Sequence, residues 1–199
     1  MGSKIILASS SPRRKELLEK MGLEFEIIPS SYEEDMTEPL PPYELIMKLA
    51  KGKAEDVAKR VKSGIVIGVD TFVVFENKKL GKPKDESDAY NALKLISGKN
   101  IEVYSGICII DVELKKEIVD FEVSTVKIKE LSDDEINAYI ASGELLDKAG
   151  SFAIQGMGSI FIERITGSYS NIVGLPVNKL YSHLKEFGVN IFEYDSWKK

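Results

Sequence analysis

Asp70 stands in Gly68-Val69-Asp70-Thr71-Phe72, an aspartate inside a run of strand-forming apolar residues. Aspartate is depleted in strands, and a buried carboxylate without a partner is expensive. Asp70 is therefore expected to be paired, metal-bound or catalytic, unless it merely caps a turn at a strand end. Upstream lies Ala8-Ser9-Ser10-Ser11-Pro12-Arg13-Arg14. Two arginines in a first helical turn oppose the helix dipole, at about 0.3–1 kcal/mol each, and an anion at that position removes the conflict. The hydroxyls of Ser9 and Ser11, the N–H groups of a helix start and the guanidinium forks of Arg13 and Arg14 suit a phosphate group.

Three further groups of residues extend this chemistry. Lys53 falls three residues after Ala50 and four before Val57, on the apolar side of a helical pattern, where a lysine either snorkels outward or meets an internal anion. Lys82 lies in the short rigid segment Leu80-Gly81-Lys82-Pro83. Glu33-Glu34-Asp35 offers oxygen ligands to a metal, or is simply a solvated acidic loop. Asp147-Lys148-Ala149-Gly150 and Gln155-Gly156 form a small-residue stretch that allows a ligand to approach closely. Cys108 is assigned to packing and His183 to the surface. Together these residues describe anion donors, an oxygen-ligand metal site and one base, which is what attack of water on a polyphosphate requires.

Composition narrows the choices. The chain has 199 residues, 43% hydrophobic and 30% charged, with one cysteine and one histidine. Disulfide frameworks, zinc fingers and histidine-rich metal centres are excluded. Any metal is held by oxygen, which points to a divalent cation of the magnesium or manganese kind. A net charge of −5 disfavours duplex nucleic acid as a partner. No apolar run approaches the ~20 residues of a membrane helix, and the N-terminus lacks a secretory apolar region, so a cytoplasmic protein is expected. Ser97-Gly98-Lys99 lacks the rest of a phosphate loop, and Gly156-Met157-Gly158 has Phe161 where a dinucleotide fingerprint needs its third glycine. No G-x-S-x-G elbow occurs.

The elements that must carry these residues alternate, which argues for an α/β chain folded as one domain over 1–199. Strands are expected at Lys4–Ala8, Phe25–Pro29, Ile65–Phe75, Ile101–Val112, Ile118–Ile128 and Ser159–Ile165, with a turn at Asn77-Lys78. Helices are expected from Ser11-Pro12 to Met21, from Tyr43 to Lys62, over Asp85–Ile96, from the capping box Ser132-Asp133-Asp134-Glu135 to Ser142, and over Pro176–Phe187. Ser30–Pro42 and Gly167–Gly174 read as loops.

With these residues in hand, the chain resembles the Maf family of nucleoside triphosphate pyrophosphatases, relatives of the inosine triphosphate pyrophosphatases. The resemblance runs from about Lys4 to Val189. It rests on Leu7-Ala8-Ser9-Ser10-Ser11-Pro12-Arg13-Arg14, Gly68-Val69-Asp70-Thr71, Leu80-Gly81-Lys82-Pro83, Asp147-Lys148-Ala149-Gly150, Gln155-Gly156 and Gly174-Leu175-Pro176. It implies an elongated, curved mixed β-sheet with flanking helices and two lobes around a cleft. It also implies hydrolysis between the α- and β-phosphates, and a homodimer. Asp70-Thr71 and Gly167-Ser168-Tyr169-Ser170-Asn171 are similar to the branch acting on dTTP and UTP. The branch that prefers a methylated guanosine triphosphate typically has a different residue after the aspartate and a glutamate at the place of Gln155.

By this resemblance Asp70 is the proton acceptor, and Arg13, Thr71 and Gln155 govern which base is accepted. A divalent cation would be held by Asp70 with Glu33, Glu34 or both, while Arg13, Lys53 and Lys82 neutralise phosphate charge. The family often has a histidine shortly after the Ser-Gly-Lys segment. This chain has Ile101 there, and no role is assigned to that strand. Two other readings stand beside this one: a nucleotide-binding regulator of cell division with weak catalysis, and a purine or methylated-guanosine triphosphate pyrophosphatase.

Overall fold

Alternating side chains in the first strand set up two apolar faces, and the rest of the chain is built on them. A computed structural model of the chain describes residues 4–81, 83–143 and 154–193. Its strands are β1 (Ile5–Leu7), β2 (Phe25–Ile27), β3 (Ile65–Phe75), β4 (Lys78–Leu80), β5 (Asn100–Asp111), β6 (Lys116–Ile128) and β7 (Ile162–Thr166). Its α-helices are α1 (Pro12–Lys20), α2 (Pro42–Ala58), α3 (Glu86–Ile96), α4 (Asp133–Ala141), α5 (Tyr169–Val173) and α6 (Val177–Glu186). The strands form one mixed sheet in the order β2-β1-β3-β5-β6-β7, with β4 paired to β3. The α/β expectation is met. Contacts divide the chain into two compact units: Met1–Asp70 with Ser105–Glu122 and Gly174–Lys199, and Thr71–Tyr104 with Val123–Val173.

In the first unit, β1 pairs in parallel with both β2 and β3, placing Ile5 opposite Ile65 and Leu7 opposite Ile67. Period-two alternation sends Ile5, Leu7, Ile65, Ile67, Val69, Ile107 and Ile109 to one face, where Leu18 of α1 and Leu180 and Leu184 of α6 cover them. Ile6, Ala8, Val66 and Cys108 go to the other face, under Ala50, Ala54 and Val57 of α2. Two glycines bring α2 unusually close on that side. A Cβ on Gly68 would stand 2.3 Å from the Ala50 carbonyl oxygen and 2.6 Å from the Ala54 nitrogen, and one on Gly106 would stand 2.3 Å from the Ile46 carbonyl oxygen.

In the second unit, Val73 and Phe75 of β3, Ile101 and Val103 of β5, and Val126 and Ile128 of β6 form a core with Leu93 and Ile96 of α3 and Ile136 and Tyr139 of α4. The capping box at Ser132 and Glu135 is present on both sides.

Four local expectations are corrected. The helix expected to reach Lys62 ends at Ala58, where Lys59 and Arg60 turn back onto the carbonyls of Glu55 and Val57. The strand expected from Ser159 begins at Ile162. Gly156 opens a 3₁₀ turn over Met157–Phe161, which delivers Phe161 edge-on to Tyr139 at 5.0 Å. The loop Gly167–Gly174 contains the short α5, because Ser168 Oγ accepts from the Asn171 N–H while Asn171 Nδ2 donates to Val103 O and Ser124 Oγ. His183, expected at the surface, is only partly exposed. Its side chain is 18% exposed, with Nε2 2.9 Å from Asp120 Oδ2 and Nδ1 3.1 Å from Glu186 Oε1.

Candidate active site

In the first unit the chain leaves β1 toward β2 on one side and later returns through β3 on the other. The carboxyl ends of β1 and β3 therefore flank a topological switch point, where open α/β sheets bind ligands. The segment that follows β1 begins level with the last residues of this unit's part of β3, since the Ala8 N–H donates to Ile67 O at 2.8 Å. Ser9 and Arg14 on one side and Asp70 on the other are thereby brought together.

Gly68 and Asp70, two residues apart, share the face of β3 that α2 covers. The close approach over Gly68 carries Lys53, between the contacting Ala50 and Ala54, down beside Asp70. Lys53 Nζ lies 2.7 Å from Asp70 Oδ1, and the two residues are 9% and 6% exposed. Of the two fates open to Lys53, meeting an internal anion is the one observed. The same ammonium lies 2.6 Å from Glu34 Oε1, on the acidic loop after β2. Lys53 thus bridges two carboxylates.

Arg14 completes the first unit's cluster. Its Nε donates to Gly174 O at 2.9 Å, its Nη1 donates to Ser9 Oγ at 3.0 Å, and its Nη2 lies 4.0 Å from Asp70 Oδ1. Burial pulls the guanidinium below its ordinary pKa; Asp70 and Glu34 oppose that fall and neighbouring Arg13 adds to it. Part of the anion expected at this helix start is thus supplied by Asp70 itself. Ser9 is buried, and its Oγ also accepts the Ser11 N–H at 3.2 Å. Ser11 occupies the N-cap place of α1, but its side chain makes no capping bond.

The remaining expected residues divide as follows. Glu33 is exposed, and Glu34 rather than Glu33 reaches Lys53. Arg13 is half-buried in the first turn of α1. Thr71 follows Asp70 in β3 and belongs to the second unit, as does exposed Gln155 in the turn before Met157. Lys82 and Asp147-Lys148-Ala149-Gly150 lie outside the described residues.

Among the described residues no group of three or more His, Cys, Asp or Glu side chains is gathered for a metal. Two hard carboxylates, Glu34 and Asp70, do converge on one cationic point, now the Lys53 ammonium. That donor set fits an ion of the magnesium kind, which takes one or two protein carboxylates and completes its shell with water and phosphate oxygens.

Sequence reasoning missed the Gly174 carbonyl that grips Arg14. The Gly174-Leu175-Pro176 block was visible, but a backbone acceptor carries no residue-type signature. It also missed the packing of the Tyr32 ring over Gly52 and the hydrogen bonds that Ser30 and Ser31 donate to Asp56. The signal available for these was a glycine in mid-helix.

The chain is similar to proteins of known family. It is 51% identical over 190 residues to a dTTP/UTP pyrophosphatase of Ruminiclostridium cellulolyticum, covering 95% of this chain and 98% of that protein. It is 52% identical over 189 residues to the dTTP/UTP pyrophosphatase of Clostridium tetani, covering 94% and 98%. Its counterpart in Caldicellulosiruptor saccharolyticus, also named dTTP/UTP pyrophosphatase, is 46% identical over 194 residues, covering 96% and 98%. Among solved structures, the Staphylococcus aureus Ham1 protein is similar at 15% identity and a TM-score of 0.45, over 63% of this chain and 71% of that one. The family model described as Maf-like protein matches residues 4–187, and with these relatives it makes the chain a member of the Maf-like family.

Proposed function

We propose that the chain is a nucleoside triphosphate pyrophosphatase that hydrolyses dTTP and UTP between the α- and β-phosphates, releasing the monophosphate and pyrophosphate. The observation that carries this reading is the buried Asp70 carboxylate held between Lys53 and Arg14, beside the serine–arginine turn. The names of the three relatives agree with it.

Asp70 orients a water toward the α-phosphorus and accepts its proton. Ser9, Ser11, Arg13 and Arg14 seat the phosphates at the start of α1. Lys53 and Lys82 neutralise charge that develops on the phosphates and on the departing pyrophosphate. Thr71 and Gln155 read the pyrimidine edge, and an amide suits this because it both donates and accepts. Glu34 and Asp70, with Glu33 beside them, would hold a divalent cation, magnesium or manganese, which would make water more acidic and offset phosphate charge.

Residues 1–199 act as one functional domain on this reading, since β3, β5 and β6 each continue from one unit into the other. Family resemblance adds a homodimer, and the reading includes a cytoplasmic setting. Among the described residues, no helix is long and apolar enough to cross a membrane.

Pyrophosphate release from a panel of dTTP, UTP, CTP, ITP and methylated guanosine triphosphate, with magnesium or manganese, tests the proposal. Release is expected chiefly from dTTP and UTP. Preference for a purine overturns the substrate assignment, and tight binding with no release from any nucleotide favours a regulatory protein.

A further inference from the structure

Gly52 lies in the interior of α2, where glycine costs about 1 kcal/mol relative to alanine. The structure gives this position a use. A Cβ there would stand 2.4–2.7 Å from three ring atoms of Tyr32, so the ring lies directly on bare helix backbone. Tyr32 belongs to the acidic loop between β2 and α2, and that loop is laid along the helix at further points spaced four residues apart. Lys48 Nζ grips both carboxylate oxygens of Glu38, at 2.7 and 2.6 Å. Asp56 accepts from Ser30 Oγ at 3.0 Å, from the Ser31 N–H at 2.9 Å and from Ser31 Oγ at 3.2 Å. Arg60, just past the helix end, donates to Pro29 O and to Asp56 Oδ2, each at 2.8 Å.

Lys48, Gly52, Asp56 and Arg60 fall on one side of a 3.6-residue repeat and meet the loop in reverse order, from residue 38 back to residue 29. Lys53, next to Gly52, takes Glu34 from the same loop. We propose that Gly52 and Asp56 are positioning residues, seating Tyr32 and Ser30–Ser31 so that Glu34 is delivered to Lys53 and the ammonium is held at Asp70. The inference rests on the reading of that cluster as a triphosphate-hydrolysing site. It explains why Glu34 reaches the lysine while neighbouring Glu33 stays in solvent. It also accounts for a glycine where helix propensity argues against one.

The test is a double-mutant cycle on dTTP hydrolysis with Gly52→Ala, Glu34→Gln and the pair, accompanied by hydrogen exchange of the amides of residues 30–36. Gly52→Ala strengthens the helix intrinsically yet displaces the Tyr32 ring. It is expected to lower kcat on the order of ten-fold or more, as misplacement of catalytic groups does, with KM changed much less. If the seat acts through Glu34, the two losses do not multiply and the pair is no slower than the worse single variant. Asp56→Ala, which loosens the loop without touching Gly52, should show the same non-additivity. Faster exchange at residues 30–36 should accompany both seat variants. Multiplying losses, or a Gly52→Ala enzyme of full rate, overturns the proposal, as does unchanged exchange. If the unaltered protein releases no pyrophosphate, the hydrolytic reading fails by itself, and the exchange comparison still decides whether the seat holds the loop.

Discussion

Lys53 and Asp70, seventeen positions apart on a helix and a strand, hold each other through a 2.7 Å contact from which water is largely excluded. The contact exists because α2 rides on the backbone of Gly68, and it is shared with Glu34 and backed by Arg14. Two cations and two carboxylates therefore offset one another, with the Asp70 carboxyl buried beside a seat for further negative charge. This arrangement suits a base that must act next to a triphosphate.

Asp70→Asn keeps the shape and an acceptor for Lys53 but cannot take a proton. Turnover of dTTP is expected to vanish while binding of a non-hydrolysable dTTP analogue remains measurable by calorimetry. A variant with near-full rate would remove Asp70 from the role of base.

Lys53→Met removes the bridging cation and leaves two carboxylates facing each other. Breaking a buried ion pair from one side costs roughly 3–5 kcal/mol, and because Arg14 still compensates Asp70 the lower end, about 3 kcal/mol, is expected. Urea unfolding measures it. A loss below about 1 kcal/mol would mean the pair is screened as surface pairs are.

Gly68→Ala addresses the helix–strand approach itself. The added methyl meets the Ala50 carbonyl and the Ala54 nitrogen, backbone atoms that cannot swing aside, so α2 must lift. Overpacking of this kind costs about 1–3 kcal/mol. Because the lift carries Lys53 away from Asp70, kcat should fall together with Tm. A destabilised enzyme with an unchanged kcat would separate the helix approach from the chemistry.

Much of this site could be read from residue types. An aspartate in an apolar strand, serines and arginines crowding a helix start, and a lysine on an apolar helix face each violate a local rule, and such violations gather where function overrides stability. What stayed hidden depends on tertiary docking. The choice of Glu34 over Glu33 follows from how the loop lies on α2, and no local pattern records that. The Gly174 carbonyl is a backbone atom. α5 forms because Asn171 finds Val103, 68 residues earlier in the chain, and a reader of local periodicity sees only a glycine-flanked loop.

Cys108 packs against α2 with no exposed surface, and burial pushes its thiol up to about 12. The thiolate is the reactive form, so iodoacetamide at pH 8 should leave the folded protein unmodified and alkylate it fully in denaturant. Mass spectrometry reads both states. Rapid modification of the native protein would contradict the packing of this face.

Glu122, on β6, is half-buried, and its buried Oε2 has no hydrogen-bond partner among the described residues. Burial raises its pKa; Lys179 opposes the rise and Asp120 adds to it. An unfolded glutamate titrates near 4.3. A folded value above that means that stability from this group is full below the unfolded pKa and is lost as pH climbs through the folded one. Glu122→Gln cannot ionise and avoids the loss. The variant should melt close to the unaltered protein at pH 4 and higher at pH 7. For a chain of this size, each kcal/mol relieved corresponds to about 2–4 °C. Calorimetric melts across that range check the sign: a Tm difference independent of pH would show that burial does not shift this group, and one favouring glutamate at pH 7 would show that the carboxylate is stabilised as an ion.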